Sequence, residues 1–401
     1  VEARGSDVPG SRPTAARPTP IACLFGTYDR GHSANRLLRD ALAHAGFRVV
    51  ECHEPLWEET HDKGARYFAP ASLGRLAGRW AGAAVRLRRR FRALAADTPP
   101  LVVTGFGGQL DVLLARRVCR PRAGLVFAPL VTLAETLVDD RAVFAAGGPA
   151  ARALRTLDRA TLGAADLVLV DTAAHAGHFR TLGARRVGVW HLGAEPEFLA
   201  AGAGVPVPRR VLFTGRFLPL HGIDTIVEAA RRLGTRADVT LLGTGPERPR
   251  IAARVAASGA PIAFRDDVPL AALPGELQQA AVVLGVFGTS EKAATVVPNK
   301  VYQAAAVGRP LVTRDGPALR EVLQPGEDCI AIPPGDPAAL ADAILRLLDD
   351  PEAAAAMGRS ARARVLERFA PGRQGAALAA LLRQHLGVAA DPEPAGARGA
   401  G

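Results

Sequence analysis

The sequence predicts an α/β fold of two doubly wound domains facing each other across a cleft. Three observations carry this. From Ile21 onward, short apolar runs rich in β-branched residues alternate with helical patterns, as βαβ units on a parallel sheet require. The pattern stops at Gly202-Ala-Gly-Val-Pro-Val-Pro208, which reads as a linker, and then restarts. The restarted half carries three glycine- or proline-bearing loops, Gly215 to Gly222, Gly243 to Glu247 and Gly288 to Pro298, each just after a strand. In a parallel sheet such loops share one edge, at the carboxyl ends of the strands, where open α/β sheets bind ligands.

Length and composition agree. A chain of 401 residues exceeds one simple core, so two domains are expected. It is 48% hydrophobic and 22% charged, ordinary for a globular protein. Fifty basic side chains against 39 acidic ones give a net charge of +11, which favours nucleotide phosphates, acidic lipid head groups or nucleic acid as partners. Cys23, Cys52, Cys119 and Cys329 are scattered, with no CxxC pair. A disulfide framework and a zinc site are therefore not expected, and a reducing cytoplasm fits. No apolar run is long enough to span a bilayer. The expected organisation is a disordered leader over 1–20, a first domain over 21–200, a linker over 201–208, a second domain over 209–370, a closing helix over 371–387 and a disordered tail over 388–401.

The first domain opens with the strand Ile21-Ala-Cys-Leu-Phe25 and the turn Gly26 to Gly31; Ser33 can cap the helix that runs to Ala45. The glycines of that turn are five apart with no third at the required offset, so a nicotinamide fingerprint is weak. A turn that lets a phosphate approach the backbone at Gly26 and Gly31 is one reading, and a tight turn needing positive φ is the other. A helix over Pro70 to Ala95 carries Trp80, Leu87 and Phe91 near helical spacing and crowds Arg86, Arg88, Arg89, Arg90 and Arg92 into its second half. Such a helix can lie on an anionic membrane, or pack its apolar stripe and leave a solvated basic face; the second is favoured. Leu101-Val-Val-Thr104 is a strand followed by Gly107 and Gly108. Thr132, Glu135, Thr136, Asp139 and Arg141 follow another strand, a cluster suited to a hydroxyl-rich ligand or to a local helix cap. Asp166 to Thr172 is a buried strand, His175 and His178 are read as surface or capping residues, and Val187 to His191 is the last strand of this half.

The second domain repeats the pattern through strands at Arg209 to Gly215, Val239 to Gly243, Pro261 to Phe264, Val282 to Phe287, Pro310 to Thr313 and Cys329 to Ile332. Its central stretch is strand, polar loop, helix, strand. Pro298 sits at the helix start, where its missing N–H costs nothing. The helix runs from Asn299 to Val307, and Gly308 ends it as a left-handed cap. The free amides at its start, with Lys292 and Lys300 nearby, suit a phosphate; an ordinary βα turn with solvated lysines is the other reading. With Arg216 and His221 they would form a cationic cleft between the domains.

Phe213-Thr-Gly-Arg-Phe-Leu-Pro-Leu-His-Gly-Ile223, Leu241-Leu-Gly-Thr-Gly-Pro-Glu247, Val297-Pro-Asn-Lys-Val-Tyr-Gln303 and Gly308-Arg-Pro-Leu-Val312 together carry a resemblance. They look like the donor domain of the family-4 retaining glycosyltransferases, which have the GT-B architecture. The resemblance extends over roughly residues 21–386 and is firmer after Pro208. It implies a first domain that takes the acceptor, around Gly107, Gly108, Thr132 and Glu135. It implies a second domain that takes a nucleotide-diphosphate sugar through Gly215, Arg216, His221, Gly243, Gly245, Pro298, Asn299, Lys300 and Gln303. Arg216 and Lys292 would serve the reaction by steadying the leaving diphosphate; no metal, no cofactor and no nucleic acid partner are implied. The acceptor would be a carbohydrate, a lipid-linked or a small-molecule hydroxyl. This chain departs from the family's pattern: His221 stands where a lysine is usual, Thr295 and Gln303 stand where paired glutamates are usual, and the usual first-domain histidine has no clear match after Leu101, where Gly107, Gly108 and the Thr132 to Arg141 cluster stand instead. Glutamine at 303 is expected to hold the ribose hydroxyls, and Gln303→Glu to keep or tighten donor binding. A nucleotide-sugar epimerase of the same form and a non-catalytic nucleotide-binding scaffold are the alternatives.

Overall fold

The computed structural model describes residues 19–56, 70–94, 99–119 and 123–389, with side chains of 70–73 excepted. The leader and tail expectations lie outside them, apart from residues 19, 20, 388 and 389. The first domain runs β1 (Ile21–Gly26), α1 (Ser33–His44), β2 (Arg48–His53), α2 (Pro70–Ala93), β3 (Leu101–Thr104), α3 (Gln109–Val118), β4 (Gly124–Phe127), α4 (Pro149–Ala164), β5 (Leu167–Val170), α5 (Ala173–Thr181), β6 (Val187–Val189) and α6 (Pro196–Ala201). A π-helical turn, Glu135–Asp140, interrupts the run from β4 to α4. The second domain runs β7 (Arg210–Thr214), α7 (Ile223–Leu233), β8 (Asp238–Leu242), α8 (Arg248–Ser258), β9 (Ile262–Arg265), α9 (Leu273–Gln278), β10 (Val282–Leu284), α10 (Glu291–Thr295), α11 (Asn299–Val307), β11 (Leu311–Arg314), α12 (Pro317–Val322), β12 (Ile330–Ile332), α13 (Pro337–Asp349), α14 (Pro351–Phe369) and α15 (Pro371–Leu386).

Each domain holds a six-stranded sheet, in the orders β2-β1-β3-β4-β5-β6 and β12-β11-β10-β7-β8-β9, with parallel pairing throughout. The central strands are buried on both faces, so β3 and β5 read as unbroken apolar runs rather than alternating ones. The strand order reverses beside β1 in the first sheet and between β7 and β10 in the second. At these switch points neighbouring crossovers leave to opposite faces and open a crevice.

Local details sharpen the sequence expectations. The cap of α1 is His32, whose Nδ1 accepts the Ala34 amide; Ser33 is already helical. Strand β6 stops at Val189, and Trp190 turns into the core, its ring N–H donating to the Gln374 carbonyl. Helix α2 realises the core-packed reading: Leu87 and Phe91 are buried, and Phe91 meets Phe25 edge-on at 5.8 Å. Helix α11 carries no polar face, since Lys300 through Val307 are all buried. It is packed by α6, α9 and α14, with small Ala304, Ala305 and Ala306 admitting the neighbours. After α14 the chain crosses back, and α15 lies on α1, where a Cβ at Gly375 would come within 2.4 Å of the His44 side chain. Leu378 and Leu382 join Leu38 and Leu42 in one core that also holds α11. Among the described residues no helix is long and apolar enough to cross a membrane.

Candidate functional site

The second-domain crevice is built from loops that touch backbone to backbone. Gly215 turns at φ +140°, and a Cβ at Gly243 would lie 2.1 Å from the Gly215 carbonyl oxygen. Glycine at 243 is thus demanded by the close approach of the two loops, whatever else it touches. The Phe217 amide then donates to the Thr244 carbonyl at 3.1 Å, locking the loop after β7 to the loop after β8, and Gly245 packs against Phe217. Beyond the turn, Arg216 is exposed at the crevice edge.

Around it sit three more cations with few counter-charges. Lys300 projects from the first turn of α11. Its Nζ is buried without a hydrogen-bond partner and lies 3.7 Å from the centre of the Phe213 ring. Burial pushes its pKa well below the lysine range. His221 is buried beside it, its Nδ1 accepting the Leu218 amide at 3.3 Å. Burial, then the Lys300 charge, pushes its pKa well down, so the imidazole is neutral. Lys292, at the start of α10, reaches across to the first domain, with Thr136 Oγ1 at 3.2 Å and Asp140 Oδ2 at 3.4 Å. Burial lowers its pKa, and the Asp140 and Glu135 carboxylates oppose that shift. Arg141 follows Asp140 and leaves its Nε without a partner. Burial lowers its pKa, Asp140 opposes, and repulsion from Arg216 adds to the lowering. The charge of Arg216 is thus felt at Arg141 on the other domain, as a site for an anion would require.

The first-domain cluster is organised around a residue that sequence reasoning misplaced. His175 is buried, not on the surface. Its Nε2 lies 2.9 Å from Glu135 Oε1 and its Nδ1 3.4 Å from Asp171 Oδ1. Burial opposes its charge, but bonds to Asp171 and Glu135 prevail and push its pKa up to about 9. Burial would likewise raise Glu135, but His175 and Lys292 hold it below the usual carboxylate range. Glu135 Oε2 accepts the Thr132 amide and Thr132 Oγ1 accepts the Glu135 amide, each at 3.2 Å. Both residues are buried, so they support the cleft wall through His175 and Lys292. Only the early periodicity of α5, with His175 on the same face as Ala176 and Phe179, could have signalled its burial.

Gly107 lies open at φ +86° beyond β3, and Gly108 precedes α3. Gly26 has its own occupant: the buried Asp111 carboxylate takes the Thr27 amide at 2.7 Å, and a Cβ at Gly26 would lie 2.5 Å from that carboxylate. The close approach of the carboxylate by itself accounts for a glycine at position 26, and a carboxylate is a poor neighbour for a phosphate. The Gly31 amide donates to Asp29 Oδ1. Among the described residues no group of three His, Cys, Asp or Glu is placed to hold a metal ion.

The domains meet along a seam that includes the departures from the motif pattern. Asp171 Oδ2 accepts the Val297 amide at 3.3 Å, and the Thr172 hydroxyl donates to the Thr295 carbonyl. Glu321 accepts the Ala173 and Ala174 amides at 2.7 and 2.8 Å, capping α5 from the other domain. Gln303 is buried, and its amide donates to the Glu195 carboxylate at 3.1 Å.

This architecture has known counterparts. The chain superposes on sucrose-phosphate synthase of Thermosynechococcus elongatus with a TM-score of 0.69 and 20% identity, covering 92% of this chain and 99% of that one. It superposes on Anabaena HepE, in a complex with UDP-glucose, with a TM-score of 0.64 and 14% identity over 91% of this chain and 99% of that one. The fold is GT-B. Within it, residues 208–350 match the family described as Glycosyl transferases group 1. Two curated relatives align over part of the chain. An alpha-D-kanosaminyltransferase of Streptomyces kanamyceticus is 27% identical over 178 residues, 43% of this chain and 45% of that protein. The D-rhamnosyltransferase WbpZ of Pseudomonas aeruginosa is 28% identical over 166 residues, 40% of this chain and 42% of that protein. The chain therefore spans less than half the length of the curated relatives it matches. In this GT-B chain the Glycosyl transferases group 1 match covers the crevice that holds Arg216, His221, Lys292 and Lys300.

Proposed function

We propose that this protein is a glycosyltransferase that moves a sugar from a nucleotide-diphosphate sugar to an acceptor hydroxyl, with retention of configuration. What supports the reading is the loop architecture of the second-domain crevice, where the Gly215, Gly243 and Gly245 turns meet backbone to backbone next to exposed Arg216, within residues 208–350 that match Glycosyl transferases group 1. Such a site stabilises the charge that builds on a departing diphosphate without a metal. The bond between the anomeric carbon and the phosphate oxygen breaks, and its electron pair leaves with the diphosphate. The acceptor oxygen bonds the same face of the sugar and passes its proton to the departing phosphate. Lys292 and Arg216 act on the leaving group, so no enzyme nucleophile is needed. Gly107, open beyond β3 of the first domain, is where we expect the acceptor to enter. All four cysteines are free, which suits work in the cytoplasm.

A screen of sugar nucleotides for transfer, hydrolysis and binding tests this reading. Arg216→Ala should weaken donor binding by more than tenfold with the fold intact, since one charge-assisted contact contributes about 1.5–3 kcal/mol. Unchanged affinity by calorimetric titration would reject the assignment. Interconversion of the sugar without transfer would indicate an epimerase, and binding without turnover a scaffold.

A further inference from the structure

The loop after β3 is a turn that presents one aromatic ring. Gly105 to Gly108 closes on itself, the Gly108 amide donating to the Gly105 carbonyl at 3.0 Å, with Gly107 at φ +86°. Asn35 of α1 holds this turn twice over. Its Oδ1 accepts the Phe106 amide at 2.8 Å, and its Nδ2 donates to the Phe106 carbonyl at 3.3 Å. A Cβ at Gly105 would lie 2.3 Å from that same Oδ1, so the close fit demands glycine there. Phe106 is half-buried, and the half-buried His32 ring stacks on it, with centroids 4.2 Å apart and planes 24° apart. His32 is fixed in turn by the Ala34 amide, which its Nδ1 accepts. Two ring side chains, from the loops after β1 and β3, are thereby oriented without being sealed into the core.

Their place is the edge that meets the second domain. In a parallel sheet the carboxyl ends of the strands share one edge, and just past β5 that edge touches the second domain, where Asp171 takes the Val297 amide. A hollow in the same edge is lined by Ala34, which His32 caps, by Ala128 and Leu130 after β4, and by Asp171 at the seam. It connects the ring pair to the seam. Leu130 stands there at φ +66°, a conformation that a leucine keeps only where its surroundings impose it. Resting on the glycosyltransferase reading, we propose that the stacked His32–Phe106 pair is the acceptor platform and that the acceptor hydroxyl is borne on a pyranoside ring, which lays its apolar C–H face on the pair. The negative faces of aromatic rings attract such C–H groups. The polar turn with Asp29 and Arg30 adjoins His32 and suits the hydroxyls around the ring. A ringless alcohol offers no flat face to stack.

The test uses the full chain with His32→Asn and with Phe106→Leu. Asparagine keeps an oxygen for the Ala34 amide and removes the ring; leucine keeps an apolar side chain on the turn. Saturation-transfer NMR is recorded with methyl pyranosides of gluco, galacto and manno configuration, and with glycerol as the ringless control. The proposal requires saturation of the protons on one ring face in the parent, none on glycerol, and loss of the effect in both variants. In transfer assays with the sugar nucleotide that the parent uses, the acceptor KM should rise about fivefold or more in each variant, with the donor KM as in the parent. His32→Asn decides the matter should Phe106→Leu not fold. An acceptor KM unchanged in His32→Asn, or a donor KM that rises equally with it, overturns the platform and leaves the transferase. Transfer to glycerol as efficient as to the pyranosides overturns it too. If the parent binds pyranosides through the pair but transfers nothing from any sugar nucleotide, the transferase reading fails and the ring site stands. If it neither binds nor transfers, both fail.

Discussion

The Gln303 side-chain amide donates to the fully buried carboxylate of Glu195, at 3.1 Å, across the junction of α11 and the turn before α6. A neutral amide opposite a carboxylate satisfies both groups without a second buried charge. The departure from glutamate at 303 is thus matched by an acidic partner in the chain that leaves the first domain.

Gln303→Glu should consequently destabilise the protein rather than tighten donor binding. Two carboxyl groups about 3 Å apart in a dry site cannot both ionise, so the pair must hold one proton. The shared proton has a raised pKa, so stability is retained in acid and lost as pH rises. The expected loss at neutral pH is roughly 1–3 kcal/mol. Urea unfolding at pH 5 and pH 8 should show the deficit growing with pH; equal stability of variant and parent at both pH values would mean the Glu195 contact is not formed.

His175 gives a pH signature that an unperturbed surface histidine lacks. Its pKa is raised from 6.5 to about 9 by Asp171 and Glu135 against the opposing effect of burial. A raised pKa means a contribution fully present below about pH 6.5 and lost as pH climbs through about 9. His175→Gln should cost on the order of 3 kcal/mol at pH 6. The gap between variant and parent should narrow toward pH 9.5. A gap that stays constant over this range would show that His175 is uncharged in the fold.

The basic half of α2 is divided by the fold. Arg86 and Arg90 are tied to Glu54, at 2.6 and 3.2 Å. Arg88, Arg89 and Arg92 remain exposed, near an exposed Val85. If this face docks on acidic lipid, vesicle binding should rise with anionic lipid and fall with salt, each arginine contributing about 1 kcal/mol. Replacing Arg88, Arg89 and Arg92 together by glutamate should abolish it. Equal partitioning of the parent onto neutral and anionic vesicles leaves only a solvated basic face.

The sequence by itself determined the elements and their order. Glycine and proline punctuation placed α11 between Pro298 and Gly308 to the residue, because a fixed φ and a left-handed cap are local demands. Period and β-branching likewise located the strands. Tertiary structure decided what each polar residue faces. His175 and His178 look alike on a short helix, yet only the first meets Glu135, forty residues away, and Asp171. Gln303 reads as a ribose contact in the sequence, and in the fold its amide has a partner in Glu195 of the first domain. Gly26 reads as a phosphate turn until Asp111 closes over it. The charge state of Lys300 depends on burial and on the absence of a partner, and both are properties of packing. Local chemistry fixes backbone conformation, but protonation and contact depend on groups that only chain folding brings within a few ångströms.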